Sequence, residues 1–537
     1  MLERKAYSWT YILVLLYVLL SIFIIPYYPS IYRDEPWVSA QAVQLFNTDP
    51  GAPPKLFNYQ RDFSSPFRFI GFRALLAGAY SLFGYDFEAG RSVSLILGFT
   101  VLTLTYFLLN SIGINRLHSL LVIFGAGFTE RFIWASHAIR PEIYVCVLFS
   151  VALLMMIRNS EKPHPGRLTD FFVGLICGLN VWVYDTALII GFAFGLTYFA
   201  KFVFTKRLGS NRGEALIRFL AFSGGACIFA SLWFFVNILS APDALIASFN
   251  IGSKAHQHYL KGVPASLHFL ARFRGFFYVP RSLIGYFFAP SWRPHIPELL
   301  VVLPALALSF RRARFGNMQQ PEKDCLLLLA GMLLGFSIAG YMASYYWVLF
   351  LPPFVVIIAK STDEIVNKFG YPPLATGVIF WVLLLIFAQL TFAPYPYHNQ
   401  EYKLTMKRLR QIVESDNDTN NAVMGNILYN FAFPGRPFTY SRDFHTMNNH
   451  TDITLWDYCR RYNIGYVLVT GDGEWSLERW KWRSERFALL GSAKLISYTG
   501  SILRPGRRNH KVIHVLKFND RDKNLILNKR KREDSPL

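Results

Sequence analysis

Two adjacent carboxylates, Asp34 and Glu35, follow the first long apolar run of the 537-residue sequence. They stand in IYRDEPWVSAQAVQLF, where a membrane span has only just ended. A carboxylate at the edge of the hydrocarbon is partly dehydrated, which raises its basicity and suits a general base. A helix start is the alternative, because an acidic residue before Pro36 caps free N–H groups. Both interpretations remain open, although a helix start explains one carboxylate better than two.

A second charged pair, Arg140 and Glu142, flanks Pro141 in ASHAIRPEIYV, just as a later apolar run begins. Ionisable groups at membrane depth are candidate functional groups, and these two would help to build a polar cavity that faces the first outer loop. The alternative is again a helix start, with proline in the first turn and side chains that snorkel to water.

Further cations, Arg281 and Arg293, stand among aromatic residues in FFYVPRSLIGYFFAPSWRPH. A phosphate that arrives from the lipid phase needs such cations as partners. An aromatic belt with snorkelling arginines is the alternative. Asp185 lies between two apolar runs, and we expect it at an exposed turn.

The elements that position these charges are predicted to be membrane-spanning helices. The sequence is 53% hydrophobic and only 17% charged, against about a quarter charged in typical soluble proteins. The first apolar run lacks a small-residue cleavage site, so we expect it to be a retained anchor. Eleven spans are predicted, near residues 9–28, 90–110, 117–134, 139–157, 170–186, 187–204, 217–239, 295–310, 325–341, 344–360 and 374–393.

The basic loops give these spans a direction. With the N-terminus inside, the four basic segments all fall on the cytoplasmic face, as the positive-inside rule requires; they are 158–167, 201–218, 311–315 and 360–368. Two long loops, about 32–88 and 241–294, then lie outside. The first contains the amphipathic segment FRFIGFRALLAGAYSLFG, whose apolar face and arginines suit a helix that lies along the membrane interface. The sequence predicts a membrane domain over 1–393. It also predicts a small α/β outer domain over 394–537, with strands in NIGYVLVTGDG, ALLGSAKLISYTG and KVIHVLKF and a disordered C-terminal end.

The net charge of +21 does not indicate nucleic acid as a partner. Cytoplasmic loops of membrane proteins collect Lys and Arg, a basic surface suits anionic membrane lipids, and the sequence contains no basic-aromatic recognition module. The five cysteines form neither a disulfide framework nor a CxxC metal pair; they are Cys146, Cys177, Cys227, Cys325 and Cys459.

Taken in order, the motifs resemble those of the C-type (GT-C) membrane glycosyltransferases. The resemblance is to the protein mannosyltransferase and aminoarabinose transferase branch (families 39 and 83), and it covers most of residues 1–393. The matching segments are DEPWVSAQAVQLF, SSPFRFIGFRALLAGAYSLFG, FEAGRSVSLILG with Arg91, the Arg-Pro-Glu at 140–142, YVPRSLIGYFFAPSW and FLPPFVVIIA.

The resemblance implies an all-α polytopic GT-C fold and an inverting transfer of one sugar from a polyprenyl-phosphate carrier to an acceptor on the outer face. The acceptor would be a glycan, a lipid or a protein, and the membrane a bacterial inner membrane with the C-terminal domain in the periplasm. Asp34 would be the general base and Glu35 would position substrate or assist. The substrate- and phosphate-binding residues would be Arg91, Arg140, Glu142, Arg281 and Arg293.

A divalent metal is possible, but its usual ligands are not seen, because the sequence departs from the family at one motif. Relatives carry His-Pro-Pro or Glu-Lys-Pro before the amphipathic segment, whereas this chain has Phe63-Ser64-Ser65-Pro66. Asp62 and Glu142 are the substitutes that the sequence offers. A transporter or flippase of lipid-linked saccharide is the alternative function, but the paired halves typical of transporters are not seen. A non-catalytic partner of an envelope complex is a third class.

Overall fold

The computed structural model describes residues 15, 17–22, 34–45, 69–162, 164–204, 212–240, 296–339, 344–392, 399–416, 421–425, 427–433, 438–440, 458–460, 463–470, 487–498 and 508–518. Arg281, Arg293 and the segment around Asp62 lie outside the described residues, and so does much of the first predicted span. Of Asp34 the backbone is described and the side chain is not.

Helices make up most of the described chain, and their apolar faces form one buried core. In chain order they are α1 (Asp34–Leu45), α2 (Ile70–Phe83), α3 (Phe87–Ser111), α4 (Arg116–Gly127), α5 (Glu130–His137), α6 (Glu142–Ser160), α7 (Arg167–Val183), α8 (Ala187–Val203), α9 (Arg212–Ser240), α10 (Ile296–Arg314), α11 (Gln320–Ala339), α12 (Leu351–Phe369), α13 (Tyr371–Phe392) and α14 (Asn399–Glu414). A 3-10 helix, Ser344–Phe350, leads into α12.

The single helix expected over 117–134 is wrong. The chain leaves α4 at Gly127 and starts α5 at Glu130, so two short helices replace one span. The sequence offers a local reason, since Gly125 and Gly127 disfavour helix and Thr129 and Glu130 are typical of a helix start. The rings of Trp381 and Tyr17 also pack closely on the backbone of these glycines, where a Cβ atom would overlap them. Three described helices are long and apolar enough to cross a membrane, namely Phe87–Ser111, Glu142–Ser160 and Arg212–Leu239. Eleven crossings therefore remain a prediction.

The backbones of helices α7 and α9 lie very close to each other where the two helices cross. A Cβ atom on Gly174 would lie 2.0 Å from the carbonyl oxygen of Phe222, and one on Gly225 would lie 2.1 Å from that of Phe171. Such contacts are possible only for glycine, which is the usual small residue at tight helix crossings in membranes.

Charges at one end of the bundle are buried as pairs. Asp170 accepts hydrogen bonds from Arg218, Tyr198 and Asn159, and Lys201 lies 2.7 Å from Asp324. These side chains lie near the ends of α6, α7 and α8 and the start of α11, the end at which the sequence places its basic loops. They tie the helices together, because each buried charge has a partner.

The C-terminal part contains a five-stranded mixed sheet, which confirms the predicted strands. Its order is β2-β1-β3-β5-β4, where β1 is Ala422–Gly425, β2 Phe438–Tyr440, β3 Ile464–Thr470, β4 Phe487–Tyr498 and β5 Arg508–Phe518. β1 is parallel to β2 and β3, whereas β5 is antiparallel to β3 and β4. Helix α14 packs on β4, and a 3-10 turn, Ile427–Ala432, follows β1. We call α14, this turn and the sheet the sheet domain.

Candidate active site

The acidic pair opens α1, and its second member is held in place by a buried ion pair. Glu35 is fully buried, and its carboxylate accepts two hydrogen bonds from Arg91, at 2.9 Å from Nε and 2.8 Å from Nη2. It also accepts the backbone N–H of Ile139 at 3.1 Å. Glu35 therefore joins the start of α1 to Arg91, which is 56 residues away in sequence, and to Ile139, which is 104 residues away.

The residue types explain why the chain starts a helix here. Pro36 in the first turn breaks no hydrogen bond, since the first four N–H groups of a helix have no partner within it. Asp34 and Glu35 place negative charge at the positive end of the helix dipole. Because the anchored residue follows Asp34 directly, the backbone of Asp34 is fixed beside the junction of α1, α3 and the 138–140 segment.

A second buried ion pair lies on the same segment. Arg140 donates to Glu142, at 3.0 Å from Nε and 2.5 Å from Nη2, and its guanidinium lies 5.1 Å from the centre of the Trp134 ring. Both residues are almost completely buried. Since Ile139 binds Glu35 and is the neighbour of Arg140, the two ion pairs lie next to each other. The structure thus brings together Glu35, Arg91, Arg140 and Glu142.

Asp185 lies elsewhere, in the turn between α7 and α8 as expected, but it is half-buried and not exposed.

Three polar contacts near this junction were not foreseen. Tyr80 on α2 donates to Ser39 on α1 at 2.6 Å. His137 at the end of α5 places its Nε2 3.1 Å from the carbonyl oxygen of buried Ser21, which ties α5 to residues 17–22. The hydroxyl groups of Tyr184 and Tyr346 lie 2.7 Å apart. Tyr80, Tyr184 and Tyr346 sit in aromatic-rich apolar runs, which gives the sequence no signal to separate them from core residues.

The amphipathic segment differs from expectation in one respect. Its arginines were expected to lie along the membrane interface, yet Arg73 on α2 is buried, with 8% of its surface exposed. Helix α2 packs against α1, so this part of the segment serves the protein core. Arg68, the other arginine of the segment, lies outside the described residues.

The two carboxylates of the junction whose side chains are described are both engaged by arginines. Glu35 and Glu142 each bind an arginine through both oxygens. The described ranges contain no group of three or more His, Cys, Asp or Glu side chains that could hold an ion.

A long apolar groove lies beside the junction. It has a volume of about 540 Å³, within the range of about 300–1,000 Å³ that ligand pockets occupy. Its lining reaches from Glu298 to Phe310, about 18 Å along α10 at 1.5 Å per residue. Side chains of α10, α11 and α12 form most of the wall, including Leu303, Leu306, Leu329, Leu333 and Phe354.

The groove has a charged end close to the two ion pairs. Arg131 and Glu298 line it there, Arg131 binds Glu130 at 2.8 Å, and Glu298 accepts the Glu130 N–H at 2.9 Å. Arg131 and Trp134, the ring under Arg140, lie on the same short helix α5, about 4.5 Å apart along its axis. An apolar chain in the groove would therefore end near the ion pairs.

Comparisons with known proteins identify the fold and no sequence family. No family model and no curated protein matches the chain. Among solved structures, ArnT from Cupriavidus metallidurans bound to undecaprenyl phosphate matches with a TM-score of 0.60 and 10% identity, covering 95% of this chain and 98% of that one. The apo state of the same protein matches with a TM-score of 0.58, 12% identity and the same coverage.

A third structure extends the comparison beyond ArnT. The Archaeoglobus fulgidus oligosaccharyltransferase, in complex with zinc and sulfate, matches with a TM-score of 0.50 and 13% identity, covering 85% of this chain and 67% of that one. These proteins are GT-C glycosyltransferases, and ArnT is an aminoarabinose transferase. The chain therefore has the GT-C fold, as the order of its motifs predicts.

Proposed function

We propose that this protein is a membrane glycosyltransferase that moves a single sugar from a polyprenyl-phosphate carrier to an acceptor on the outer face of the membrane, with inversion. The observation that carries the proposal is the junction of α1, α3 and the 138–142 segment. There two buried ion pairs fix the backbone of an additional acid, Asp34. The GT-C fold supports the proposal.

In the proposed reaction, the carboxylate of Asp34 takes the proton of an acceptor hydroxyl as its oxygen attacks the anomeric carbon. The new glycosidic bond forms on one face of the sugar while the bond to the carrier phosphate breaks on the other. The electron pair of that bond leaves with the polyprenyl phosphate. A base held at the membrane boundary is suited to this step because it is already partly dehydrated.

The structure supports different roles for the other residues of the site. Glu35 and Arg91 neutralise each other, so we propose that they position α1. Arg140 and Glu142 are likewise paired and would form the wall next to the departing phosphate. Arg281 and Arg293 remain our candidates for stabilising the charge on that phosphate, since guanidinium groups match phosphate oxygens in geometry.

The apolar groove supports the lipid-linked donor. A polyprenyl tail needs a long, dry channel, and the groove between α10, α11 and α12 offers one of about 540 Å³ with Arg131 at its charged end. ArnT, which has the same fold, was crystallised with undecaprenyl phosphate. We propose that the carrier tail lies in this groove, with its phosphate directed towards α5 and the two ion pairs.

The test is the substitution Asp34→Asn, which keeps the size and the helix-capping ability of the side chain but removes the base. We expect sugar transfer to be lost while the protein still accumulates in the membrane. The measurement is mass spectrometry of envelope glycans from a deletion strain that carries each variant. Asp363→Asn is the matched control, since Asp363 lies beside His118 near the opposite end of the bundle. Full activity of Asp34→Asn would remove Asp34 as the base and favour the helix-cap interpretation.

A further inference from the structure

The sheet domain contacts the helix that carries the acidic pair. Its 3-10 turn, Ile427–Ala432, packs against α1. Phe431 in this turn is buried, and its ring centre lies 5.2 Å from that of Tyr85 and 6.2 Å from that of Phe87. Tyr85 lies in the short connection between α2 and α3, and Phe87 is the first residue of α3. We call residues 84–88 the 84–88 turn.

Helix α14 holds the same turn from a second direction. The ring of Tyr402, which is fully buried, lies 5.9 Å from that of Phe87. Lys403 bridges Asp86 at 3.1 Å and Glu88 at 3.0 Å. Partial burial lowers the pKa of Lys403, but its hydrogen bonds to Glu88 and Asp86 outweigh this effect, so the pKa is raised and the ammonium stays charged at neutral pH.

The 84–88 turn is connected to α1 on both sides. Before the turn, Tyr80 contacts the Tyr85 ring at 5.2 Å and donates to Ser39 on α1. After the turn, Arg91 follows Phe87 by one helical turn and binds Glu35. The sheet domain therefore reaches α1 directly through its 3-10 turn and indirectly through Tyr80 and Arg91.

We propose that the sheet domain positions α1 for the reaction, and that Phe431 is the main positioning residue. The inference rests on the proposed function, in which Asp34 at the start of α1 is the base. The 3-10 turn packs on α1, and the rings of Phe431 and Tyr402 pack on the 84–88 turn. The sheet domain thus supports a helix whose twelve residues would be only marginally stable on their own. Displacement of a catalytic group by about 1 Å can lower a rate about a hundredfold, so loss of this contact should act on turnover.

The test compares Phe431→Ala with Phe433→Ala in the full chain, reconstituted in nanodiscs. Phe433 is a matched control because it is an equally buried ring in the same domain, but it stacks on Phe438 of β2 at 6.1 Å. We expect Phe431→Ala to speed amide hydrogen exchange of residues 34–45 about tenfold or more, with α8 and α11 unchanged. Sugar transfer in the complemented strain should fall about tenfold or more, while binding of undecaprenyl phosphate stays within about twofold of wild type. Phe431→Leu should restore much of both losses.

The outcomes separate this inference from the proposed function. Unchanged exchange of residues 34–45 in Phe431→Ala, or the same change in Phe433→Ala, would overturn the inference. If Phe431→Ala does not fold, Lys403→Met tests the same contact more gently and should change the same two readouts in the same direction. If the wild type neither transfers sugar nor binds undecaprenyl phosphate, the proposed function fails, whereas the exchange comparison still decides whether the sheet domain holds α1.

Discussion

The Glu35–Arg91 ion pair gives the most direct quantitative test of the site. Glu35→Gln would leave the guanidinium of Arg91, which is 1% exposed, without a counter-charge. Removing one partner of a buried ion pair typically costs about 3–5 kcal/mol in free energy of unfolding. If the contact were only three ordinary hydrogen bonds, at about 0.6 kcal/mol each within a membrane protein, the loss would be about 2 kcal/mol. The size of the loss therefore distinguishes an ion pair from simple hydrogen bonding.

The assay is a double-mutant cycle with Glu35→Gln, Arg91→Met and the double variant, unfolded by SDS titration in mixed micelles. Because the double variant carries no unpaired charge, it should lose less than the sum of the two single losses, with a coupling of about 2 kcal/mol or more. Lys517→Met serves as the control, since its partially exposed ion pair with Asp416 should be worth about 1 kcal/mol or less. A loss of about 2 kcal/mol or less in Glu35→Gln, or additive single losses, would refute the view that a buried ion pair anchors α1.

Two further predictions concern the groove and the topology. Ala330→Trp would fill the groove, so we expect it to weaken the binding of undecaprenyl phosphate in nanodiscs about tenfold or more. Leu82→Trp, on the exposed face of α2, is the control and should leave this binding unchanged. Equal binding by both variants would remove the groove as the site of the carrier tail. If the sheet domain lies outside, Asp472→Cys should react with an impermeant thiol reagent in intact cells. The wild type gives the background, because Cys459 of this domain is buried. Reaction only after lysis would place the domain inside.

Local sequence patterns predicted the helices and strands well, because these depend on periodicity over short windows. The apolar runs that end near Ser111, Val183 and Phe392 all became helices, and the runs in the tail became β3, β4 and β5. The break at 128–129 was missed although the sequence marks it, since two glycines, Gly125 and Gly127, precede the polar residues 129–131. The approach of the Trp381 and Tyr17 rings to these glycines could not be predicted, because both residues are distant in sequence.

The sequence identified the charged residues of the junction but not their partners. Arg91 was expected to bind substrate or phosphate, and Glu35 to assist catalysis, whereas the structure pairs them with each other. Their roles in substrate binding remain untested. Arg140 and Glu142 are only two residues apart, yet their pairing depends on how Pro141 turns the chain at the start of α6. Pairings across 56 or 104 residues require the tertiary fold and cannot be read from spacing.

These pairings answer the question that the adjacent carboxylates pose. Glu35 is buried and occupied by Arg91 and the Ile139 N–H, so its negative charge is used to fix the helix. The backbone of Asp34, directly before Glu35, is held by the same anchor. A base that is neutralised by an arginine loses the basicity that proton transfer needs, so Glu35 is poorly suited to that role. Under the proposed function the two carboxylates would divide the tasks: Glu35 would hold α1 in position, and Asp34 would accept the proton.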